Sequence, residues 1–548
     1  MTEPDLLNQA ISNAYDETPY VSNAISHSAP GQLRAVAHLF GHAAPPLNQA
    51  RVLEIGCAAG GNLLPFAAAH PDAKIVGVDL SSAQVSEGRQ VIERLGLRNI
   101  ELLAMSLTDI TPDFGQFDYI ITHGVYSWIP AEVREGLMRV CRENLAPAGV
   151  AYISYNTYPG WKVSEVVRDA LVLGTFGAST SAEKLTKARE ILSMLEHGTA
   201  ESNAQAIAIR HLAQHLRSQP NHYLQHEYLE AVNSPCYFLE FVAQAQQHGL
   251  AYLADAMPET SISTNYGNHV SAHHQQVSQG FDRAVREQFL DIAIGRQFRR
   301  SLLVHAEQAA NALEQPEASG FADMHFTALL DLAPPDAADS PPDEHRYQGR
   351  TGKTLTTSDP GLIALVDRLR LAWPATVPFS ELRSLVRPHA AGLSEEDLDT
   401  TIYVHLVTLL NMGALQYRLE PAPYQDKISA KPRLIPGLAT LLATQQTQLG
   451  AYNLWHQTLN PHRRDHQIRH GPAGRQADPG HAAQSVAHRA GRQQAAASQR
   501  PIREERDQSG RDRPGSAQAS PGQSAKDGGA ALTIEASSDS APKKFENS

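Results

Sequence analysis

Residues 53–61 read LEIGCAAGG, and an aspartate followed by Leu80 and Ser81 closes the apolar run AKIVGVD that comes next. Gly56 and Gly60 allow a tight turn and let a ligand approach the backbone at the start of a helix. Asp79 stands 19 residues after Gly60, the spacing at which an acid at a strand end accepts hydrogen bonds from the two hydroxyls of a ribose. NAD and S-adenosylmethionine both satisfy that much. Glu54 separates them, because a pyrophosphate at the first turn would be repelled by a carboxylate, whereas the ammonium of S-adenosylmethionine needs one. The glycines agree: Gly56, Ala58 and Gly61 make an imperfect G-x-G-x-x-G, while Glu-x-Gly-x-x-x-Gly from Glu54 to Gly60 is complete. The residues point to S-adenosylmethionine as cofactor, with Glu54, Gly56, Cys57, Gly60, Asn62 and Asp79 around it. The same residues would also serve a protein that binds this molecule without turning it over.

These residues need a parallel sheet to hold them. RVLEIG, AKIVGVDL, NIELLAM, FDYIITHG and GVAYISYN read as five strands, and SSAQVSEGRQVIERL and AEVREGLMRVCRENL as helices between them, the first with Ser81 and Gln84 spaced as a capping box. The pattern predicts a doubly wound α/β domain whose ligands bind beyond the carboxyl ends of the strands, after Gly56, Asp79, Met105 and His123. The organisation expected is an amino-terminal segment over 1–50 that closes on the cofactor, the sheet domain over 51–162, and a helical insertion over 163–230. A region over 231–310 would complete the sheet with two more strands, a linker over 311–357 would follow, and a small winged-helix-like domain would occupy 358–455.

Composition limits the rest. Across 548 residues, 42% are hydrophobic and 19% charged, which excludes a fibrous or wholly disordered chain. No apolar stretch approaches the ~18 residues of a membrane span, and the start, MTEPDLLNQA, does not read as a secretory signal. Cys57, Cys141 and Cys236 are too sparse for a disulfide framework or a paired zinc site, so a reducing cytoplasm is expected and no metal site. A net charge of −12 argues against specific nucleic-acid partners. From Pro461 to Ser548 the chain carries 14 basic and 10 acidic residues among Gln, Ala, Gly, Ser and Pro, a composition that predicts a disordered tail over 461–548. The change of composition there is abrupt enough to suggest a shifted coding frame.

YDETPY, RVLEIGCAAGGNLLPFA, GVDLS, FDYIITHGVYSWIP and SYNTYPGW, taken together, resemble bacterial class I methyltransferases with a methyltransferase regulatory domain, a group that includes protein lysine methyltransferases acting on outer-membrane proteins. The similarity spans about residues 13–455 and implies a Rossmann-like catalytic domain with a middle regulatory region. Ser106 stands where many class I enzymes place an acid for the adenine amino group, which leaves the backbone of Met105, Ser106 and Leu107 to hold the ring and Leu80 to pack on it.

Transfer of a methyl group from a sulfonium needs alignment, exclusion of water and, for an amine acceptor, a neutral nitrogen. Neutralising a lysine costs about 4.6 kcal/mol, to be met by desolvation or a base, and aromatic faces suit the cations involved. The catalytic candidates are His123 and Tyr126 after the fourth strand and Tyr155, Asn156 and Tyr158 after the fifth, with Trp128 and Trp161 nearby. His123 also touches the cofactor side, and Tyr15 and Tyr20 are expected to close over it from the amino-terminal segment. The resemblance favours a protein lysine acceptor; a small-molecule acceptor would use the same cofactor residues, and a homodimer is a candidate assembly.

Overall fold

A computed structural model describes residues 22–334, 341, 343–424 and 451–459. Strands β1 (Arg51–Ile55), β2 (Lys74–Asp79), β3 (Ile100–Ala104), β4 (Phe117–Thr122) and β5 (Leu145–Asn156) run parallel; at one edge β7 (Phe298–His305) pairs antiparallel with β5, and β6 (Leu250–Asp255) antiparallel with β7. The order is β3-β2-β1-β4-β5-β7-β6, a Rossmann-like class I sheet with its switch point between β1 and β4.

Alternation sorts side chains to the two faces. Val52, Ile75, Tyr119 and Tyr152 enter one core, while Leu53, Val78, Ile120, Ile153 and Tyr155 enter the other. Both faces are covered, so β4 is buried along its whole length. The helices that flank and follow these strands are α1 (Pro30–Leu39), α2 (Leu64–Ala69), α3 (Ser82–Leu95) and α4 (Ala131–Asn144). Ser81 caps α3 by accepting from the Gln84 amide at 3.2 Å, and Gly96 ends it in the left-handed conformation, φ 67°.

The insertion consists of α5 (Trp161–Thr175), α6 (Ser181–Gly198), α7 (Ala204–Arg217) and α8 (Asn221–Tyr228), which share a separate core around Val167, Leu171, Leu192, Leu216 and Leu224. That core fixes α8 over the carboxyl end of the sheet. Then come α9 (Phe238–Gln247), α10 (Asn268–Ser278) and α11 (Arg283–Ile294), and Arg299 of β7 binds the carboxylates of Glu287 and Asp291 on α11 in a fully buried network.

The expected linker over 311–357 is corrected. It holds four strands, β8 (His325–Ala328), β9 (Leu330–Ala333), β10 (His345–Gly349) and β11 (Thr354–Thr357). β8 pairs with β12 (Val377–Pro378) and β13 (Leu415–Arg418), so the carboxyl-terminal unit, with α12 (Pro360–Ala372), α13 (Phe379–Val386) and α14 (Glu395–Asn411), takes its central strand from before 358. Phe326, Tyr347 and Leu355 are fully buried there, but strands of four or five residues are too short for alternation to stand out beside a Pro-rich run. Tyr15, Tyr20 and the tail over 461–548 lie outside the described residues.

Candidate active site

A cavity of about 290 Å³ opens at the carboxyl end of the sheet, roofed by residues 22–27 on one side and by α5 and α8 on the other. Its first wall is the turn after β1. Gly56 has φ +76°, and a Cβ there would meet Val125 Cγ2 at 2.3 Å. Ala58 also has positive φ, 48°, and its amide donates to Asp79 Oδ2 at 2.7 Å, while Ser81 N donates to Oδ1 at 2.9 Å. A non-glycine residue held there by a hydrogen bond marks a turn shaped for what it carries.

Glu54, at the end of β1, is buried. Its Oε1 accepts from Asn62 Nδ2 at 2.8 Å, and its Oε2 has no hydrogen-bond partner among the described residues. Burial pushes its carboxyl up to about 8, against the pull of the Asn62 hydrogen bond and with a smaller push from Asp79. A cation against Oε2 would satisfy the orphan oxygen and return the group to its charged form. Asn62 also donates to Ser28 Oγ at 3.0 Å and accepts from the Ile25 amide at 2.9 Å, and the Gly61 amide donates to Ser22 Oγ at 2.8 Å. These bonds tie residues 22–28 across the turn, and Gly61 is required because a Cβ would meet the Ser22 carbonyl oxygen at 2.4 Å. Leu80, Met105, Ser106 and Leu107 line the adjacent part of the cavity.

The second wall is aromatic and titratable. Trp128 and Trp161 meet edge to face with centroids 6.4 Å apart, and Trp161 stacks on Tyr228 of α8 at 5.9 Å. Tyr223, His226 and Glu227 of α8 complete this side. Below them His123 lies within hydrogen-bond reach of Tyr152 Oη, 2.9 Å, and Ser154 Oγ, 3.2 Å. Burial, helped by the Arg300 charge, drops its imidazole to about 3, so His123 is neutral at physiological pH. His27, beside it at 5.5 Å, is held well below its ordinary range by the same causes.

The structure thus brings together Glu54, Gly56, Cys57, Asn62, Asp79, Leu80, Met105, Ser106, Leu107, His123 and Asn156 around the cavity. Gly60 sits one turn behind, against Leu102. Cys57 is a buried thiol with its pKa pushed well up, so it packs and does not attack. Three of the expected tyrosines do not face the cavity, and here the expectation is corrected. Tyr155 stacks on Phe241 at 4.2 Å and shares a hydrogen bond with Ser301 Oγ at 3.0 Å; Tyr126 donates to Gln244; Tyr158 donates to Glu165. For Tyr155 the reason is alternation along β5, which turns Asn156 to the cavity and Tyr155 to the opposite core. Residues the sequence analysis did not single out are His27, the α8 face and Phe298 and Arg300 of β7; the YLQHEYLE run, with two acids and a histidine in a buried helix, was the signal for α8.

Comparison with known proteins gives this architecture its family. Residues 52–149 match the methyltransferase domain profile, and residues 220–305 match the predicted methyltransferase regulatory domain. An uncharacterised protein of Rickettsia prowazekii is 37% identical over 235 residues, 43% of this chain and 94% of that protein. The chain belongs to the class I methyltransferases that carry a methyltransferase regulatory domain. Another uncharacterised R. prowazekii protein is 40% identical over 301 residues, and there the methyltransferase spans about half of the relative, 54% of its length. Among solved structures, PKMT2 from Rickettsia typhi in complex with AdoHcy superimposes with a TM-score of 0.70 at 26% identity, covering 81% of this methyltransferase and 86% of PKMT2. No helix among the described residues is long and apolar enough to cross a membrane.

Proposed function

We propose that this methyltransferase moves methyl groups from S-adenosylmethionine to lysine side chains of a protein. The observation that carries the cofactor is Glu54 Oε2, a buried carboxyl oxygen at the end of β1 with no hydrogen-bond partner among the described residues. Glu54 would hold the ammonium of the amino-acid part, Asp79 the ribose hydroxyls and Leu80 the face of the adenine. When bound, the cofactor supplies a methyl carbon activated by a positively charged sulfur. Everything else is done by the protein. The segment 22–28, tied down through Asn62, and the Trp128–Trp161 pair keep water from the reacting atoms, and their faces suit a cation. His123 and Asn156 line the floor and orient the acceptor; His123, being neutral and weakly basic, does not take its proton.

The lysine acceptor is supported by the likeness to PKMT2, a protein lysine methyltransferase, and by the net charge of −12, which favours a basic partner whose association weakens with salt. The test is incubation of the purified protein with isotopically labelled S-adenosylmethionine and a bacterial lysate, read by mass spectrometry. Methylated lysines in proteins are expected, and label confined to small metabolites would retire this acceptor. S-adenosylhomocysteine should raise the melting temperature and NAD should not.

A further inference from the structure

An amine that meets a sulfonium must first lose a proton, and three carboxyl groups line this cavity: Glu54, Asp79 and Glu227. Two are engaged in the turn after β1, Glu54 with Asn62 and Asp79 with the amides of Ala58 and Ser81. The histidines beside β4, His27 and His123, are too weakly basic to hold a proton at neutral pH. Glu227 is different in place and in company. It lines the cavity from α8, beside Tyr223 and Tyr228, and among the described residues its carboxylate has neither a hydrogen bond nor an ion pair.

Resting on the lysine reading, we propose that Glu227 is the catalytic group that takes the proton from the acceptor amine. The helix presents it by spacing: Tyr223, His226 and Glu227 stand at i, i+3 and i+4 and line the cavity, while Leu224, buried in the core of the insertion, and Tyr228, packed between that core and Trp161, fix the helix in rotation. The neighbouring charges leave it available. On its own helix and just beyond, His226 Nδ1 lies 3.0 Å from Glu230 Oε1 in a buried pair. From α5, Arg168 donates to the Glu230 carbonyl; from α6, Arg189 donates to Asn221 Oδ1 at 2.8 Å; and Arg300 lines the cavity from β7. None of these pairs with Glu227. Burial raises its carboxyl to about 7, opposed by the His226 charge and reinforced by Glu230, so near neutral pH it is ionised in part and basic enough to accept.

The step balances. The carboxylate takes one proton from the lysine ammonium and becomes a neutral acid. The freed nitrogen lone pair then forms the N–C bond to the methyl carbon as the C–S bond breaks and its electron pair stays on sulfur. The positive charge moves from sulfonium to the methylated ammonium, and Glu227 later returns its proton to solvent.

Glu227→Gln keeps the shape of the side chain and removes the acceptor. With wild type shown to methylate lysine, kcat of Glu227→Gln at pH 7 should fall at least 100-fold, within the range general-base loss produces, and the deficit should shrink below about tenfold near pH 10, where solvent has taken the proton already. Glu227→Asp should recover part of the rate. Independently of turnover, the protein loaded with S-adenosylhomocysteine should bind Nα-acetyl-lysine amide more tightly than Nα-acetyl-norleucine amide, and Glu227→Gln should erase that preference while leaving the thermal shift by S-adenosylhomocysteine unchanged. A lysine-active wild type whose Glu227→Gln variant keeps over a third of kcat at every pH, or a wild type without preference between the probes, overturns the role of Glu227 alone. Turnover only on acceptors that lack an amine overturns the lysine reading, and this role with it.

Discussion

The two walls of the cavity are built by opposite means. The β1–β2 wall comes from residues 54–81, holds its carboxyl groups with backbone amides and Asn62, and leaves Glu54 Oε2 without a hydrogen bond among the described residues. The wall around Trp128, Trp161 and α8 draws on residues from 123 to 300, carries the cavity's tryptophans, and places Glu227, which has no ion pair among the described residues, on a helix from a separate core. A rigid turn suits a constant cofactor. A helical insertion with its own core can be replaced without disturbing that turn, so acceptor choice should sit on the second wall.

The largest effect should fall on the first wall. Glu54→Gln removes the partner of a buried cation, and S-adenosylhomocysteine should bind about 2–5 kcal/mol more weakly by calorimetry, while the unliganded protein loses no stability because its carboxyl is already protonated at neutral pH. A dissociation constant within threefold of wild type would break the contrast between the walls at its strongest point.

The same residue fixes a pH dependence. Glu54 has its pKa raised from 4.5 to about 8 by burial, so between those values the folded protein keeps a proton that the unfolded chain has released, and stability without ligand declines as pH rises through that window. A bound ammonium favours the ionised form. Binding therefore expels the proton, and affinity for S-adenosylhomocysteine should climb toward pH 8 by up to about 1.4 kcal/mol per pH unit. Calorimetry in two buffers of different ionisation enthalpy should show proton release in wild type and none in Glu54→Gln. Equal release in both would assign the proton elsewhere.

How far each wall could be read from sequence follows from the same contrast. Glu54, Gly56 and Asp79 fall within one βαβ unit, where spacing alone fixes geometry, and the strands that hold them have apolar runs long enough to recognise. Asn62 and the strap over residues 22–28 meet only through hydrogen bonds that span 34 and 37 residues. Glu227 lies about 100 residues beyond Trp128, on a helix whose pattern announces an amphipathic element but not what it faces. Nearness in sequence to the strand ends points to the tyrosines after β4 and β5, but alternation along β5 sends Tyr155 to the other face. The strands between 325 and 357 were hidden by their brevity.

A moderate effect should mark the second wall. Trp128→Leu removes one face of the Trp128–Trp161 pair, and kcat/KM for the lysine acceptor should drop by roughly 0.5–2 kcal/mol, about 2- to 30-fold, with the affinity for S-adenosylhomocysteine unchanged. Equal losses in both would mean that the walls are one unit.

The smallest effect concerns a residue that proximity in sequence places at the reaction centre and structure places behind it. Tyr155 is 1% exposed, stacked on Phe241, with its hydroxyl 3.0 Å from Ser301 Oγ. Tyr155→Phe leaves the ring and its packing intact and removes one partner of a buried hydroxyl pair. Stability should therefore fall by about 1 kcal/mol in denaturant unfolding, because Ser301 loses its partner. Turnover should not change, since nothing that touches the cavity has moved. A loss of kcat beyond threefold, with stability preserved, would bring Tyr155 back among the residues that act on the acceptor, and would require β5 to present both of its faces to the reaction.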